Sequence, residues 1–140
     1  MDATKTFTPT PPSSDWEFAG WRSDTTANGS IITSKTVEDD TPFTLYAVFR
    51  KQITVNFYST STAVPKTDYM YYNNGNTKKA QFRLKYNSSS SEWTPRGWST
   101  STAGNASITY DNDATFERDT NINLYGSYSK SITLSYNGNG

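Results

Sequence analysis

The residues best equipped for chemistry in this 140-residue chain are four tryptophans, two acidic groups and one basic cluster. Trp16 and Trp21 have the same five-residue spacing as Trp93 and Trp98. An exposed indole offers a large amphipathic face on which a sugar ring can stack. Trp21 and Trp98 each follow a glycine and read as core anchors. A chain with few aliphatic residues needs large rings to bury area, at roughly 25 cal/mol per Å². Trp16 and Trp93 remain candidate platforms for a glycan or a protein partner.

The acidic groups are Glu38-Asp39-Asp40, and Asp111-Asn112-Asp113 with Glu117 and Asp119. Oxygen donors at this density suit Ca²⁺, and the second group opens like a calcium loop. Counting from Asp111, however, the sixth residue is Phe116 where glycine is needed, and the twelfth is Ile122 where a bidentate Glu is needed. No metal site is therefore expected. The same carboxylates could in principle form a glycosidase acid–base pair, but no pair stands out. The basic cluster is Lys78, Lys79, Arg83 and Lys85. Lys79, Arg83 and Lys85 alternate and would share one strand face. They could hold an anionic glycan or wall polymer, or guard an edge strand against aggregation. Three N-glycosylation sequons, at Asn28, Asn87 and Asn105, are expected by chance in a chain so rich in Asn and Ser.

Composition removes most other chemistry. With no Cys and no His, thiolate nucleophiles, disulfides, Ser-His-Asp catalysis and His- or Cys-ligated metals are excluded. No cofactor and no catalytic residue is expected. Thirteen basic residues balance thirteen acidic ones, which argues against nucleic acid. No apolar run approaches the roughly 20 residues of a membrane helix, and Met1–Lys5 lacks the apolar core of a signal peptide. Thr, Ser and Asn make up 52 of the 140 residues, and aromatic residues 15%. With Val and Ile, the aromatics and threonines favour strands.

The chain also repeats itself. Trp16-Glu17-Phe18-Ala19-Gly20-Trp21 aligns with Trp93-Thr94-Pro95-Arg96-Gly97-Trp98 at an offset of 77, and Ser30-Ile31 with Ser107-Ile108. Leu45 to Phe49 aligns with Leu124 to Tyr128 at an offset of 79, as does Ile53 to Phe57 with Ile132 to Tyr136. The phase divides the chain into a flexible N-terminal segment (1–14), the later part of a first repeat (15–50), a complete repeat (51–129) and the opening strand of a third (130–140). The expectation is a window from a longer tandem array, with export signal and anchor elsewhere on the parent protein.

Period-two alternation predicts strands over Phe43–Arg50, Ile53–Phe57, Phe82–Tyr86, Ile122–Tyr128 and Ile132–Tyr136, and a weaker one over Asp68–Tyr72. Lys51-Gln52 is either a tight hairpin or a passage between repeats. Asn73-Asn74-Gly75-Asn76, Ala27-Asn28-Gly29 and Ala103-Gly104-Asn105 read as turns, and Asn87–Ser91 as a polar loop. Only Thr77–Gln81 and Thr115–Asp119 are helix candidates, and both are short.

Phe18-Ala19-Gly20-Trp21, then Leu45-Tyr46-Ala47-Val48-Phe49, then Ile132-Thr133 leading into Asn137-Gly138-Asn139-Gly140, resembles the Listeria–Bacteroides repeat. The likeness runs from about Trp16 onward. It departs from the pattern at Pro95, which stands where Phe18 stands in the first copy, and in the longer stretch Thr60–Ser91. The resemblance implies a mainly β fold: small antiparallel tandem repeats, a β-grasp-like variant with at most one short helix each. It further implies a non-catalytic, secreted or cell-surface bacterial module serving as spacer or adhesion element. Its partners would be neighbouring repeats and a host or cell-wall glycan or protein, without membrane insertion. The alternative is a carbohydrate-binding module, with Trp16, Trp93, Lys79, Arg83 and Lys85 as the glycan- or partner-binding residues.

Overall fold

The computed structural model describes residues 6–86, 92–135 and 138. The Asn87–Ser91 loop with its sequon, Tyr136, and the first five residues of the N-terminal segment lie outside the described residues. The fold is mainly β, and no helix forms among the described residues. Among the described residues nine strands follow in order: β1 (Glu17–Arg22), β2 (Tyr46–Tyr58), β3 (Ala63–Asn73), β4 (Asn76–Lys78), β5 (Ala80–Arg83), β6 (Thr94–Ser99), β7 (Tyr110–Asp111), β8 (Thr115–Arg118) and β9 (Ile122–Ser129).

The strands build two compact units from interleaved stretches of chain. The first comprises Met1–Ile53, Thr67–Gln81 and Glu117–Thr120; the second comprises Thr54–Lys66, Phe82–Phe116 and Asn121–Gly140. In the first, β1 pairs antiparallel with the start of β2, and β4 closes a hairpin on β3. Asn74 and Gly75 form that hairpin's tip with φ of 49° and 87°. Two positive-φ residues match the right-handed twist of the flanking strands, which is why Asn-Gly suits this turn. In the second unit, β9 pairs in parallel with the end of β2 and antiparallel with β6, which also carries β7. A separate two-stranded sheet joins β5 to β8.

The prolines within strands, Pro65 and Pro95, lie outside the ladders that β4 and β7 add, so neither ladder calls on the N–H that proline lacks. β4 covers only Tyr71–Asn73, leaving the stretch of β3 around Pro65 open on that side. β7 likewise covers only Gly97 and Trp98, not Pro95.

The core of the first unit holds Val48, Phe49, Ile53, Met70 and Ala80; that of the second holds Val55, Phe82, Leu84, Trp98, Phe116 and Leu124. Aromatic stacking extends the second core: Tyr110 and Phe116 rings lie 3.9 Å apart, and Phe82 and Phe116 5.8 Å. The Tyr128 hydroxyl is buried there, and burial, with the Tyr86 hydroxyl beside it, pushes its phenol pKa up.

Several local expectations need correction. The helix candidates Thr77–Gln81 and Thr115–Asp119 are largely strand, because β4 is the return arm of the Asn-Gly hairpin and β8 finds a partner in β5. Lys51-Gln52 is no hairpin: β2 runs straight through it. Phe43 and Leu45 precede that strand and have no ladder of their own. Ladder pairing in β5 stops at Arg83, although Leu84 stays buried beyond it. Among the described residues of the expected third opening strand, Ser131–Ser135 form no strand, and Ile132 and Leu134 are exposed. Alternation supplies an apolar edge, but a strand needs a neighbour to satisfy its N–H and C=O groups.

Candidate functional site

The Gly-Trp step has the same architecture in both units. In the first, Glu17 faces Arg50, Phe18 faces Phe49, Gly20 faces Val48, Trp21 faces Ala47 and Arg22 faces Tyr46, with a bulge between Phe18 and Gly20. In the second, Thr94 faces Ser129, Pro95 faces Tyr128, Gly97 faces Ser127, Trp98 faces Gly126 and Ser99 faces Tyr125, with a bulge between Pro95 and Gly97. Every pair recurs with the same two shifts, 77 on the Gly-Trp strand (Glu17 to Thr94) and 79 on its partner (Arg50 to Ser129).

The outer edge matches as well. Ile32 N–H donates to the Trp21 carbonyl at 2.6 Å, and Thr109 N–H to the Trp98 carbonyl at 2.8 Å. Gly20 and Gly97 have φ of 146° and 150°, a conformation L side chains rarely adopt. A Cβ on Gly20 would strike Ile31, and one on Gly97 would strike the Tyr110 carbonyl and Ile108. The glycine therefore permits both the bulge and the close approach of the next segment.

The two anchor rings differ in burial. Trp98 is 1% exposed, packed edge-on against Phe57 at 5.5 Å and Tyr86 at 6.2 Å, with its Nε1–H donating to the Leu84 carbonyl. It is the core anchor expected of it. Trp21 is only half-buried, with the Phe18 ring 5.3 Å away.

The candidate platforms Trp16 and Trp93 each meet a lysine. Lys51 Nζ lies 5.6 Å from the Trp16 ring centre, and Lys130 Nζ lies 5.7 Å from that of Trp93. The two lysines are themselves related by the 79-residue shift, a signal the sequence carried and strand patterning overlooked. Trp16 also leans on Tyr72 at 5.9 Å and is half-buried, whereas Trp93 is 46% exposed. Lys130 is held over Trp93 by an ion pair with Glu92 at 3.0 Å.

The basic cluster does not form one strand face. Lys79 follows β4, belongs to the first unit and pairs with Asp119 at 3.8 Å. Arg83 belongs to the second unit and grips Asp113 in a fork, Nε to Oδ1 at 2.8 Å and Nη2 to Oδ2 at 3.1 Å. That hydrogen bonding, with the charges of Arg83 and Lys85, holds the Asp113 carboxyl below its usual range. Lys85 is exposed and lies past the end of β5. Lys79 and Arg83 thus each have a carboxylate counterpart.

The acidic groups serve local structure. Asn112 brackets the Tyr86 backbone, accepting from its N–H at 2.8 Å and donating to its carbonyl at 3.1 Å. Asp39 accepts from Thr41 N–H at 2.8 Å, which lowers its pKa. Among the described residues no three His, Cys, Asp or Glu side chains gather as a metal site would require. An open, mostly polar cleft is lined by Lys35, Glu38, Asp39, Pro42 and Phe43.

One polar assembly escaped the sequence reading. Arg22 forks onto Asp24 with two 3.0 Å bonds and reaches the Ser30 carbonyl at 2.7 Å. Asp24 also accepts from the Thr26 hydroxyl at 2.7 Å and the Thr26 N–H, contacts that lower its pKa. Asn73, fully buried, clamps this loop by donating to the Asp24 and Thr26 carbonyls at 2.9 and 2.7 Å; Asn76 donates to the Thr25 carbonyl at 2.6 Å. The four residues Asn73–Asn76 read only as a turn, because nothing local shows that a loop some fifty residues earlier lies against them. The second unit repeats the inner turn with weaker groups: Ala103 N–H donates to Ser101 Oγ at 3.1 Å.

Comparison of the chain with protein families, curated proteins and solved structures finds no match.

Proposed function

We propose that this chain is a non-catalytic structural segment of a bacterial surface protein, made of tandem repeats that act as spacer or adhesion element. The observation that carries this reading is the Gly-Trp ladder, present twice in one register with the same bulge and the same positive-φ glycine. A recurring scaffold whose rings and charges are engaged internally suits a module that separates or presents other domains. Trp98 is consumed by packing, Trp16 by Tyr72 and Lys51, and Lys79 and Arg83 by carboxylates. The extracellular bacterial setting follows from the resemblance to the Listeria–Bacteroides repeat, which also makes neighbouring repeats the natural partners.

The second reading, a carbohydrate-binding module, is favoured by one feature: Trp93 keeps a large open surface beside Lys130. A glycan array probed with the full chain separates the two. The spacer reading expects no glycan above background and no sugar-dependent change in Trp emission. A glycan bound by the parent and lost in Trp93→Ala replaces it with the binding reading.

A further inference from the structure

The complete repeat opens in β2 and closes in β9, and these two strands lie side by side. The last four residues of β2 run parallel to the first four of β9: Val55 is opposite Ile122, Asn56 opposite Asn123, Phe57 opposite Leu124 and Tyr58 opposite Tyr125. This direction has a mechanical consequence. Tension along the chain draws β2 back towards its N-terminal end and β9 onward towards its C-terminal end. In a parallel pair those two pulls are opposed along one axis. The strands are then sheared, and their evenly spaced cross-strand bonds bear the load together. An antiparallel pair in the same place would have entry and exit at one end, and would open rung by rung.

The rungs are reinforced on both faces. Val55 and Leu124 are fully buried, and Phe57 packs on Trp98 at 5.5 Å. On the other face Asn56 Nδ2 donates to Asn123 Oδ1 at 3.2 Å, and the Tyr58 and Tyr125 rings stack at 4.9 Å. One residue ahead of the ladder, the Asn121 side chain accepts from Thr54 N–H at 2.8 Å and so adds a rung. Like residues stand opposite like, which penalises sliding. A slip of β2 by one residue would set Asn56 against Ile122 and Tyr58 against Leu124, residues that face the core. β9 is also gripped on its far side by β6, from Thr94 opposite Ser129 to Ser99 opposite Tyr125, so drawing it out shears a second ladder.

We infer that this repeat bears tension, with the β2–β9 ladder as its clamp. The inference rests on reading the chain as a tandem spacer, because neighbours at both ends are what load a repeat through β2 and β9. Resistance to pulling is set by the rate of forced unfolding and not by equilibrium stability. A small unit with a modest core can therefore hold against force through the arrangement of a few rungs.

Single-molecule force spectroscopy on the full chain tests this. The chain has no cysteine, so a pair of introduced ones gives unique handles. Gln52→Cys with Ser129→Cys loads the ladder in shear, and Ser61→Cys with Ser129→Cys loads it from one end; all three positions are exposed. At one loading rate the rupture force is expected to be about two- to fourfold higher in the first geometry, where four rungs share the load. Equal forces, or a higher force under end loading, overturn the inference. Asn123→Ala, at an exposed position, removes the polar rung. It should lower the shear force and leave the end-loaded force near the parent's, because end loading meets the tyrosine rung first. A fall of equal proportion in both geometries would assign Asn123 to stability alone and overturn its part in the clamp. Glycan binding through Trp93, which would displace the spacer reading, changes neither force, so the two fail separately.

Discussion

Trp21 and Trp98 occupy the same rung of the same ladder, each after a positive-φ glycine and each opposite a small residue, Ala47 or Gly126. Yet Trp98 is buried and Trp21 is half-exposed. The difference arises beyond the ladder. In the second unit Phe57 closes on the indole from β2, Tyr86 from the segment after β5, and the Leu84 carbonyl takes its N–H. Trp21 has Phe18, from its own strand, at the position where the second copy carries Pro95. A repeated backbone motif thus places a ring reproducibly, while its energetic weight depends on the segments that close over it. The polar side inverts this order. The first unit has the Arg22–Asp24–Thr26 knot clamped by Asn73, whereas at the equivalent residues of the second Ser99 and Ser101 each accept from the backbone N–H two residues on.

The largest difference between the two sites is expected when each ring is removed in turn. Trp98→Ala should cost about 3–5 kcal/mol, as loss of a buried Trp does, and Trp21→Ala roughly half of that, in proportion to the area it buries. Equal urea midpoints for the two variants would mean that the packing over Trp98 contributes nothing special. Next come the glycines. Gly97→Ala and Gly20→Ala should each destabilise by about 1–3 kcal/mol through backbone strain. Gly97 should be the worse, because its Cβ meets the Tyr110 backbone whereas that of Gly20 meets chiefly the Ile31 side chain. Thermal melts of the two variants rank them directly.

Asn73→Ala should cost about 1–2 kcal/mol, because it leaves the Asp24 and Thr26 carbonyls without their buried donor. Faster hydrogen exchange at residues 24–26 than in the parent is the expected local sign. The outer tryptophans form a weaker pair. Trp16→Ala should lose about 1 kcal/mol with its Tyr72 contact, while Trp93→Ala should fall within about 0.5 kcal/mol of the parent. A larger loss at Trp93 in chemical denaturation would reverse the order of the two platforms.

The smallest effect is with pH. Asp24, Asp39 and Asp113 have folded-state pKa values lowered below 3.8, held there mainly by hydrogen bonds from Thr26, Thr41 and Arg83 respectively. Above that value their contribution is fully present. As pH falls below it the unfolded chain takes up protons first, and stability is lost through the folded pKa values. Arg83→Gln should make the fall of urea midpoint with acid shallower, and an unchanged slope would show that the Arg83 fork does not stabilise the Asp113 carboxylate.

Local sequence sets the β class, the 77- and 79-residue correspondences, the Asn-Gly turn and the place of each Gly-Trp ring on its strand. These depend on local alternation, on glycine's conformational freedom and on side-chain size, all legible along the chain. Tertiary structure decided whether an alternating segment became a strand. Ile53-Thr54-Val55 and Ile132-Thr133-Leu134 have the same pattern, but the first lies within β2 and is buried, while the second stays unpaired and exposed. It also decided the fate of the polar groups, separating Lys79 from Arg83 and setting Asn73 over a loop far away in sequence. The reason is the same in each case. A strand's backbone and a polar side chain are satisfied by partners from distant segments, and those partners are assigned only when the chain has folded.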